Sequence, residues 1–157
     1  MNTALLDRPT GPSADVADES LYELIGTLLG LKVHSEIDLI ERLEKGLTAS
    51  AVQHLRTRAP LSDAETFHLI APRRTLSRRE AAGQTLTPEE ADKTVRIARI
   101  TAHARQVFAG QPNYAADWLR EPKNQLANRA PLQALATESG ALAVEEMLIG
   151  IEHGMFA

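Results

Sequence analysis

Apolar residues recur at helical spacing along most of this chain, and few stretches alternate strictly enough to predict a β-strand. The first such pattern runs from Leu21 to Leu29 and is closed by Gly30. Two more helices are predicted at 36–45, with Gly46 as the stop, and at 49–58, ending before Pro60. The pattern therefore predicts an all-α protein.

The middle of the chain carries two clear helix starts. Ser62 and Glu65 have the spacing of a capping box, which opens a short helix that breaks at Ala71-Pro72. A new helix is expected from Arg73. Residues 87–90 (T-P-E-E) combine an N-cap, a proline at the first position and acids in the first turn, and they predict a long helix to about Ala109.

The last forty residues read as a series of short helices punctuated by proline and glycine. Trp118 is the single tryptophan, and Pro122 is predicted to end its helix. Pro131 precedes a new apolar run, and Gly140 precedes a helix with Val144, Leu148 and Ile151. We interpret this segment as a small packing or docking module.

Bulk composition is typical of a soluble globular protein: of 157 residues, 43% are hydrophobic and 24% charged. No apolar run approaches the ~20 residues of a membrane span, and the N-terminus lacks a secretion-signal pattern. The absence of cysteine excludes disulfides and is compatible with the cytoplasm. We therefore predict a cytoplasmic protein that does not bind membranes. Residues 1–17, rich in Pro, Gly and small polar side chains, are predicted to be a flexible leader.

The formal net charge of −4 conceals an uneven distribution. Both ends of the chain are acidic, whereas residues 60–110 hold eight basic and six acidic side chains. Because charges are screened beyond about 8 Å at physiological salt, a local basic patch can bind a polyanion on an acidic protein.

The most basic cluster follows the break at Ala71-Pro72, in the sequence P-R-R-T-L-S-R-R-E. This arrangement is typical of a helix-turn-helix, whose second helix enters the major groove. Arginine can contact guanine bidentately or clamp a phosphate, and Leu76 would point inward. The alternative is a solvated basic face, and the position where a glycine is usual at the turn is Ile70. The predicted DNA-binding residues are Arg73, Arg74, Thr75, Ser77, Arg78 and Arg79.

No catalytic pattern is present. The five histidines lack metal-ligand spacing, and adjacent acid pairs such as Glu145-Glu146 diverge on a helix instead of converging. No nucleophile elbow, phosphate-binding loop or dinucleotide-binding loop occurs. We expect no enzymatic activity, no metal and no cofactor.

The spacing of the C-terminal residues resembles the toxin-binding domain of the Xre/MbcA/ParS-type antitoxins. The matching positions are Trp118, Leu119, Pro122, Leu126, Pro131, Leu132, Thr137, Gly140, Val144, Leu148, Ile151 and Gly154. Many relatives carry Gly-Gly where this chain has Ala127-Asn128. Glycine reaches positive φ at little cost and alanine does not, so the conformation of this loop is an open point.

The stretch from about Leu61 to Phe108 is similar to the Xre-like helix-turn-helix region of the same antitoxins. The shared motifs are R-R-T-L-x-R-R, here residues 73–79, and L-T-P-E-E, here residues 86–90. The resemblance implies an Xre-like helix-turn-helix domain followed by a small helical toxin-binding domain. We assign these to residues 18–110, with the motif at about 62–82, and to residues 111–157.

The resemblance also implies partners. Antitoxins of this type form pairs, most often with RES-domain toxins that deplete NAD, cover the toxin's active-site entrance and repress their own operon. The implied partners are a RES-domain toxin, operator DNA and a second copy of the chain. The predicted toxin-binding residues are Trp118, Leu119, Pro122, Glu152, Gly154, Met155 and Phe156.

Several alternatives stay open from the sequence. Trp118 can be an internal anchor or an interface hot spot, and the apolar stripes of the long helix from Pro88 can serve a dimer or the protein's own core. The chain can also be a stand-alone regulator whose C-terminal domain only oligomerises. A third alternative is a protein-binding adaptor whose basic helix no longer reads DNA.

Overall fold

The computed structural model describes residues 19–59, 61–109 and 111–155. Within these ranges the chain forms nine α-helices, one 3-10 helix and no strand, which confirms the all-α prediction. Isolated antiparallel bridges join Thr48 to Thr85 and Lys123 to Arg129. The predicted leader at 1–17, Gly110 and the candidate toxin contact Phe156 lie outside the described residues.

The helices follow one another with short connections. In chain order they are α1 (Leu21–Leu29), α2 (Glu36–Lys45), α3 (Ser50–Arg58), α4 (Asp63–Leu69), α5 (Arg73–Ala82), α6 (Pro88–Val107), α7 (Pro112–Arg120), the 3-10 helix (Asn124–Leu126), α8 (Pro131–Ala134) and α9 (Glu138–Glu152).

Local sequence explains where the helices begin and end. Ser20, Ser62 and Thr87 each accept a hydrogen bond from the third helical N–H, and the carboxylate at that third position accepts one from the backbone N–H of the cap residue. Gly30 ends α1 in the left-handed conformation, as the sequence predicts. The long helix α6 begins at Pro88 as predicted and ends at Val107, two residues before the expected limit.

The core is built around α6, which packs against α1 on one side and α9 on another. Helices α3 and α7 complete the contacts along its length. Ile25, Ile97 and Leu148 are among the side chains that are essentially inaccessible to solvent. Because α6 lies in the middle, one continuous core joins the N-terminal and C-terminal parts of the chain.

The burial of α6 bears on the two roles considered for its apolar stripes. Val95, Ile97 and Ala104 are all buried within the protein's own core, which favours the intramolecular role. Large exposed apolar side chains lie elsewhere.

On α2, the spacing of apolar residues does not show which of them are buried. Leu39 faces the core, while Ile37 and Ile40 are 67% and 47% exposed.

Candidate DNA and toxin interfaces

Helices α4 and α5 form the helix-turn-helix pair. The backbone N–H of Ser62 donates to the Glu65 carboxylate at 2.9 Å, and the Glu65 N–H donates to the Ser62 hydroxyl at 3.1 Å. This capping box starts α4 where the sequence predicts it. The chain then turns at Ile70–Pro72, and α5 begins at Arg73.

The turn explains why glycine is dispensable there. Ile70 has φ −112° and ψ −69°, so the chain does not pass through the left-handed region at this residue. Its side chain is 3% exposed and joins the core together with Ala71. An apolar residue at this position therefore adds buried surface without backbone strain.

Helix α5 contacts the core through a single buried side chain, Leu76. Arg73, Arg74, Ser77 and Arg78 are all exposed, whereas Thr75, one of the predicted DNA contacts, is half-buried. Three guanidinium groups therefore lie on the solvent side of a helix that Leu76 fixes to the domain. This arrangement provides a cationic surface suited to a polyanion.

The aromatic ring of Phe67 contacts two arginines at the helix-turn-helix. The guanidinium carbon of Arg73 lies 6.0 Å from the centre of the Phe67 ring, and that of Arg56 lies 5.8 Å from it. Phe67 thus sits near two cations, one from α3 and one from α5. Such contacts help to orient arginine side chains. The guanidinium of Arg56 also donates to the side chains of Gln53 and Asp63.

Arg79 differs from the other arginines of α5. Its guanidinium contacts the Glu90 carboxylate with Nε at 3.0 Å and Nη2 at 3.1 Å. The Arg79 side chain is 17% exposed and that of Glu90 only 13%. Glu90 is also the capping-box acid of α6, with the Thr87 N–H donating to it at 3.0 Å. The Arg79 side chain therefore joins α5 to α6 through an ion pair.

Two further arginines serve helix ends. The Arg58 guanidinium donates to the Thr27 carbonyl near the end of α1, and that of Arg105 donates to the Arg58 carbonyl at the end of α3. Both carbonyls lie in the last turn of their helix, where the intrahelical N–H donors end, and the Thr27 carbonyl also accepts the Gly30 N–H at 3.3 Å. Burial lowers the pKa of Arg105 below its ordinary value. Part of the central positive charge is thus committed to the fold.

The predicted toxin-binding residues on and just after α7 separate into core and surface groups. Leu119 is 6% exposed and belongs to the core, whereas Pro122 is exposed. Trp118 is half-buried, with its ring centre 5.8 Å from that of Phe108 and the Lys123 ammonium 5.1 Å from the ring. One part of Trp118 therefore packs internally while another part meets solvent.

The last turn of α9 directs the chain end outward. The Gly154 N–H donates to the Ile151 carbonyl at 3.0 Å, and the Met155 N–H donates to the Gly150 carbonyl at 2.8 Å. With Gly154 at φ 68°, this is a Schellman motif. It leaves Met155 71% exposed. Glu152 is also exposed, so three of the predicted toxin contacts share this corner of the domain.

The loop with Ala127-Asn128 keeps the backbone that glycine would favour. Ala127 has φ 53° and Asn128 has φ 61°, the two positive values found among described residues other than glycine. The bridge between Lys123 and Arg129 closes this loop, with the Lys123 N–H donating to the Arg129 carbonyl at 3.0 Å. The loop therefore adopts the left-handed backbone without glycine, and alanine carries the strain.

Neither a metal site nor a membrane-spanning helix occurs in residues 19–59, 61–109 and 111–155. No group of three or more His, Cys, Asp or Glu side chains in these ranges is placed to hold a metal ion. No helix in the same part of the chain combines the length and apolar character that crossing a bilayer requires.

Together, a helix-turn-helix with an exposed arginine face and an appended small helical domain define a regulator of the helix-turn-helix class with a docking domain. Comparison with protein families makes this specific. Residues 38–99 match the antitoxin Xre-like helix-turn-helix domain, and residues 103–154 match the antitoxin Xre/MbcA/ParS C-terminal toxin-binding domain.

Curated relatives agree over most of the chain. An antitoxin Xre of Pseudomonas putida is 38% identical over 120 residues, which cover 76% of this chain and 74% of the relative. Antitoxins Xre of Yersinia enterocolitica and Photorhabdus laumondii are 29% and 28% identical, covering 82% and 92% of this chain and 88% and 95% of those proteins. The chain belongs to the Xre antitoxin family.

Proposed function

We propose that this antitoxin neutralises a RES-type, NAD-degrading toxin by covering its active site, and that it represses its own operon through the helix-turn-helix. In this proposal the protein is not an enzyme and acts by covering surfaces of its partners. The exposed arginine face of α5 supports the DNA-binding part, and the match of residues 103–154 to a toxin-binding domain supports the other.

For DNA, the proposed contacts are Arg73, Arg74, Ser77 and Arg78, with Thr75 at the edge of the surface. Arg79 is assigned a positioning role, because its guanidinium is already paired with Glu90. Arginine side chains on one face of a helix can reach base edges or phosphates in a major groove.

The DNA test uses a duplex from the region upstream of the gene. The Arg74→Ala and Arg78→Ala variants should bind it more weakly, and each lost phosphate contact should flatten the salt dependence by about 0.9 in slope. Arg129→Ala, which removes an exposed arginine of the C-terminal half, is the matched control and should retain wild-type binding. Unchanged affinity in both α5 variants would reject α5 as the helix that contacts DNA, and absence of DNA binding by the wild-type protein would favour the adaptor.

For the toxin, the proposed contacts are the surface part of Trp118, Pro122, Glu152 and the chain end at Gly154, Met155 and Phe156. Exposed apolar side chains that a partner can desolvate are the usual source of binding energy. Leu119 supports the surface from the core. Binding at this corner would close a catalytic cleft without any reactive group from the antitoxin.

Co-expression with the neighbouring open reading frame tests the toxin assignment. The neighbour alone should arrest growth and lower cellular NAD, and this protein should bind it and restore both. Growth arrest with unchanged NAD would retain the antitoxin and reject the RES class. A neighbour that neither binds nor harms growth would favour the stand-alone regulator.

We also propose that the protein forms a homodimer, since helix-turn-helix regulators commonly read two-fold symmetric half-sites. The exposed isoleucines of α2, Ile37 and Ile40, support a contact there in place of the buried α6. Sedimentation analysis should give twice the 17.1 kDa chain mass. The paired change Ile37→Ser and Ile40→Ser should return the protein to the monomer mass.

A further inference from the structure

An aromatic cluster joins the end of α6 to α7, within the toxin-binding match. Phe108, Tyr114 and Trp118 are three of the six aromatic residues of the chain, which has three Phe, two Tyr and one Trp. The ring centre of Phe108 lies 5.5 Å from that of Tyr114 and 5.8 Å from that of Trp118. Phe108 and Trp118 are half-buried, whereas Tyr114 is 58% exposed. The cluster therefore presents one aromatic ring to solvent.

The Trp118 side of this cluster holds a cation. The Lys123 ammonium lies 5.1 Å from the centre of the Trp118 ring. The same ammonium is 3.2 Å from the Glu121 carboxylate, and the Lys123 side chain is only 15% exposed. An aromatic face attracts a cation most strongly when the cation is partly removed from water. Trp118 and Glu121 together thus form a seat for an ammonium group.

Tyr114 and Asp117 repeat this combination without the cation. They lie three residues apart on α7, so their side chains are neighbours on the surface of the helix. Asp117 is exposed, like Tyr114. Across the part of the chain that the structure describes, no Lys or Arg lies over the Tyr114 ring and no ion pair involves the Asp117 carboxylate. An aromatic face and a carboxylate therefore meet solvent side by side.

Arg120 at the end of α7 is engaged in a different contact. Its Nη2 atom donates to Oε2 of Glu65 at 3.0 Å, and its Nη1 atom donates to Oε1. Bonding to Glu65 raises the pKa of Arg120. Partial burial raises the pKa of Glu65, but the bonds from Arg120 and from the Ser62 N–H outweigh this, and the pKa lies below its ordinary value. The guanidinium of Arg120 is thus directed to α4 and away from Tyr114.

The surrounding domain carries an excess of negative charge. Residues 111–157 hold six acidic and three basic side chains. Of the three bases, Arg120 and Lys123 are already held in ion pairs. An exposed site beside Asp117 therefore attracts a cation and repels a polyanion such as DNA.

We propose that the Tyr114 ring and the Asp117 carboxylate receive a lysine or arginine side chain of the toxin. This inference rests on the proposed function, in which the toxin binds the C-terminal domain. The site is continuous with the toxin surface proposed above, because Trp118 lies one turn after Tyr114 on the same helix. Arginine and aromatic side chains are also the groups that most often carry the binding energy of protein interfaces.

Substitutions of Tyr114 separate a cation–π contact from apolar packing. Tyr114→Leu keeps an apolar side chain without an aromatic face, and Tyr114→Phe keeps the face without the hydroxyl. Phenylalanine carrying one, two or three fluorine atoms at this position keeps the shape of the ring and withdraws electrons from its face. Because the ring quadrupole attracts the cation, affinity should fall with each fluorine, whereas an apolar contact should not weaken in this way.

Charge and exposure have matched controls. Asp117→Asn removes the carboxylate from the proposed site, and Asp92→Asn removes an exposed carboxylate of α6 in the helix-turn-helix match. Leu142→Ser removes a 53% exposed apolar side chain from α9 in the toxin-binding match. Neither Asp92→Asn nor Leu142→Ser should change the affinity for the toxin.

The experiment measures the affinity of each full-length variant for the purified toxin encoded by the neighbouring open reading frame, at low and high salt. Tyr114→Leu should bind about tenfold more weakly and Tyr114→Phe within about twofold of wild type. Asp117→Asn should bind about threefold more weakly and with a flatter salt dependence. The double variant Tyr114→Leu with Asp117→Asn should lose less than the product of the two factors, since both groups contact one cation.

Three results would overturn the inference while leaving the proposed function intact. The first is unchanged affinity in Tyr114→Leu. The second is equal affinity along the fluorine series, which would assign an apolar contact to the ring. The third is a lower sedimentation mass of Tyr114→Leu without toxin, which would assign the cation to a second copy of the chain. Since Tyr114 packs on Phe108, the fluorine series decides the question even if Tyr114→Leu fails to fold. A wild-type protein that does not bind the toxin would instead reject the toxin part of the proposed function, and this inference with it.

Discussion

Helices α5 and α9 are held in the fold by different kinds of contact. Of the ten residues of α5 only Leu76 is buried, whereas α9 buries Ala141, Val144, Met147, Leu148 and Gly150. Apart from Leu76, α5 is held by polar contacts, namely the Arg79 pair with Glu90 and, through its neighbours α4 and α6, their capping boxes. Helix α9 is held by close apolar packing.

The way each helix is held determines which surface it can present to a partner. Polar contacts leave the solvent face of α5 free to carry arginines, but they fix the helix with little buried area. Close packing makes α9 a rigid support for the exposed residues at its end. Substitutions that disturb the close packing of α9 should therefore cost the most stability, loss of the single buried side chain of α5 should cost less, and changes of backbone conformation or charge should cost least.

The largest effect is expected from Gly140→Ala on α9. A Cβ built at Gly140 would lie 1.9 Å from the Ala134 carbonyl oxygen, so the contact between α8 and α9 would have to open. We expect the free energy of unfolding to fall by about 3 kcal/mol or more, measured by urea denaturation.

Gly83→Ala, at the C-cap of α5, is the control for Gly140→Ala. Gly83 has φ 63° but no atom within 4 Å of the added Cβ, so only backbone strain would appear. That strain should cost about 1 kcal/mol. Equal losses in the two variants would contradict the distinction between close packing and polar positioning.

Leu76→Ala tests the single anchor of α5. Removing a buried leucine side chain should lower the free energy of unfolding by about 2–3 kcal/mol. Because no other side chain of α5 is buried, hydrogen exchange should accelerate first in α5 and only later in α9. Uniform acceleration across both helices would show that α5 is not held separately.

Ala127→Gly should stabilise the C-terminal half. Alanine at φ 53° pays a left-handed strain that glycine avoids, so we expect a gain of about 1 kcal/mol in the free energy of unfolding. Ala136→Gly, at an exposed turn position outside the positive-φ residues, is the control and should give no gain. A loss in Ala127→Gly would mean that the alanine methyl contributes packing there.

The smallest effect concerns pH. Since the folded-state pKa of Glu65 lies below 4.5, its contribution is present above pH 4.5 and is lost as the pH falls through the folded value. The advantage of wild type over Glu65→Gln, below about 1 kcal/mol for a partly exposed pair, should vanish with it. Glu23, whose pKa is lowered by the Ser20 N–H and by His34, titrates in both proteins and cancels.

Local features of the helices can be predicted from the sequence, whereas contacts between helices cannot. The starts of α4 and α6 are predictable because capping residues act on neighbouring N–H groups. The pairing of Arg79 with Glu90 is not, because it depends on how α5 and α6 meet in space. Within R-R-T-L-S-R-R, the sequence gives no reason to separate Arg79 from Arg78, yet one is paired and the other exposed.

Contacts between distant segments follow the same rule. Glu65 is recognisable as a capping acid from residues 62–65 alone, but its pairing with Arg120 spans 55 positions. Likewise, the helical spacing on α2 identifies apolar positions without showing that Ile37 faces solvent and Leu39 the core.

The turn at Ala127-Asn128 has a consequence for recognising domains of this kind from sequence. Its left-handed backbone forms without glycine, and the bridge from Lys123 to Arg129 closes it. A glycine pair is therefore not required for this path of the chain, and a sequence pattern that demanded one would miss this domain.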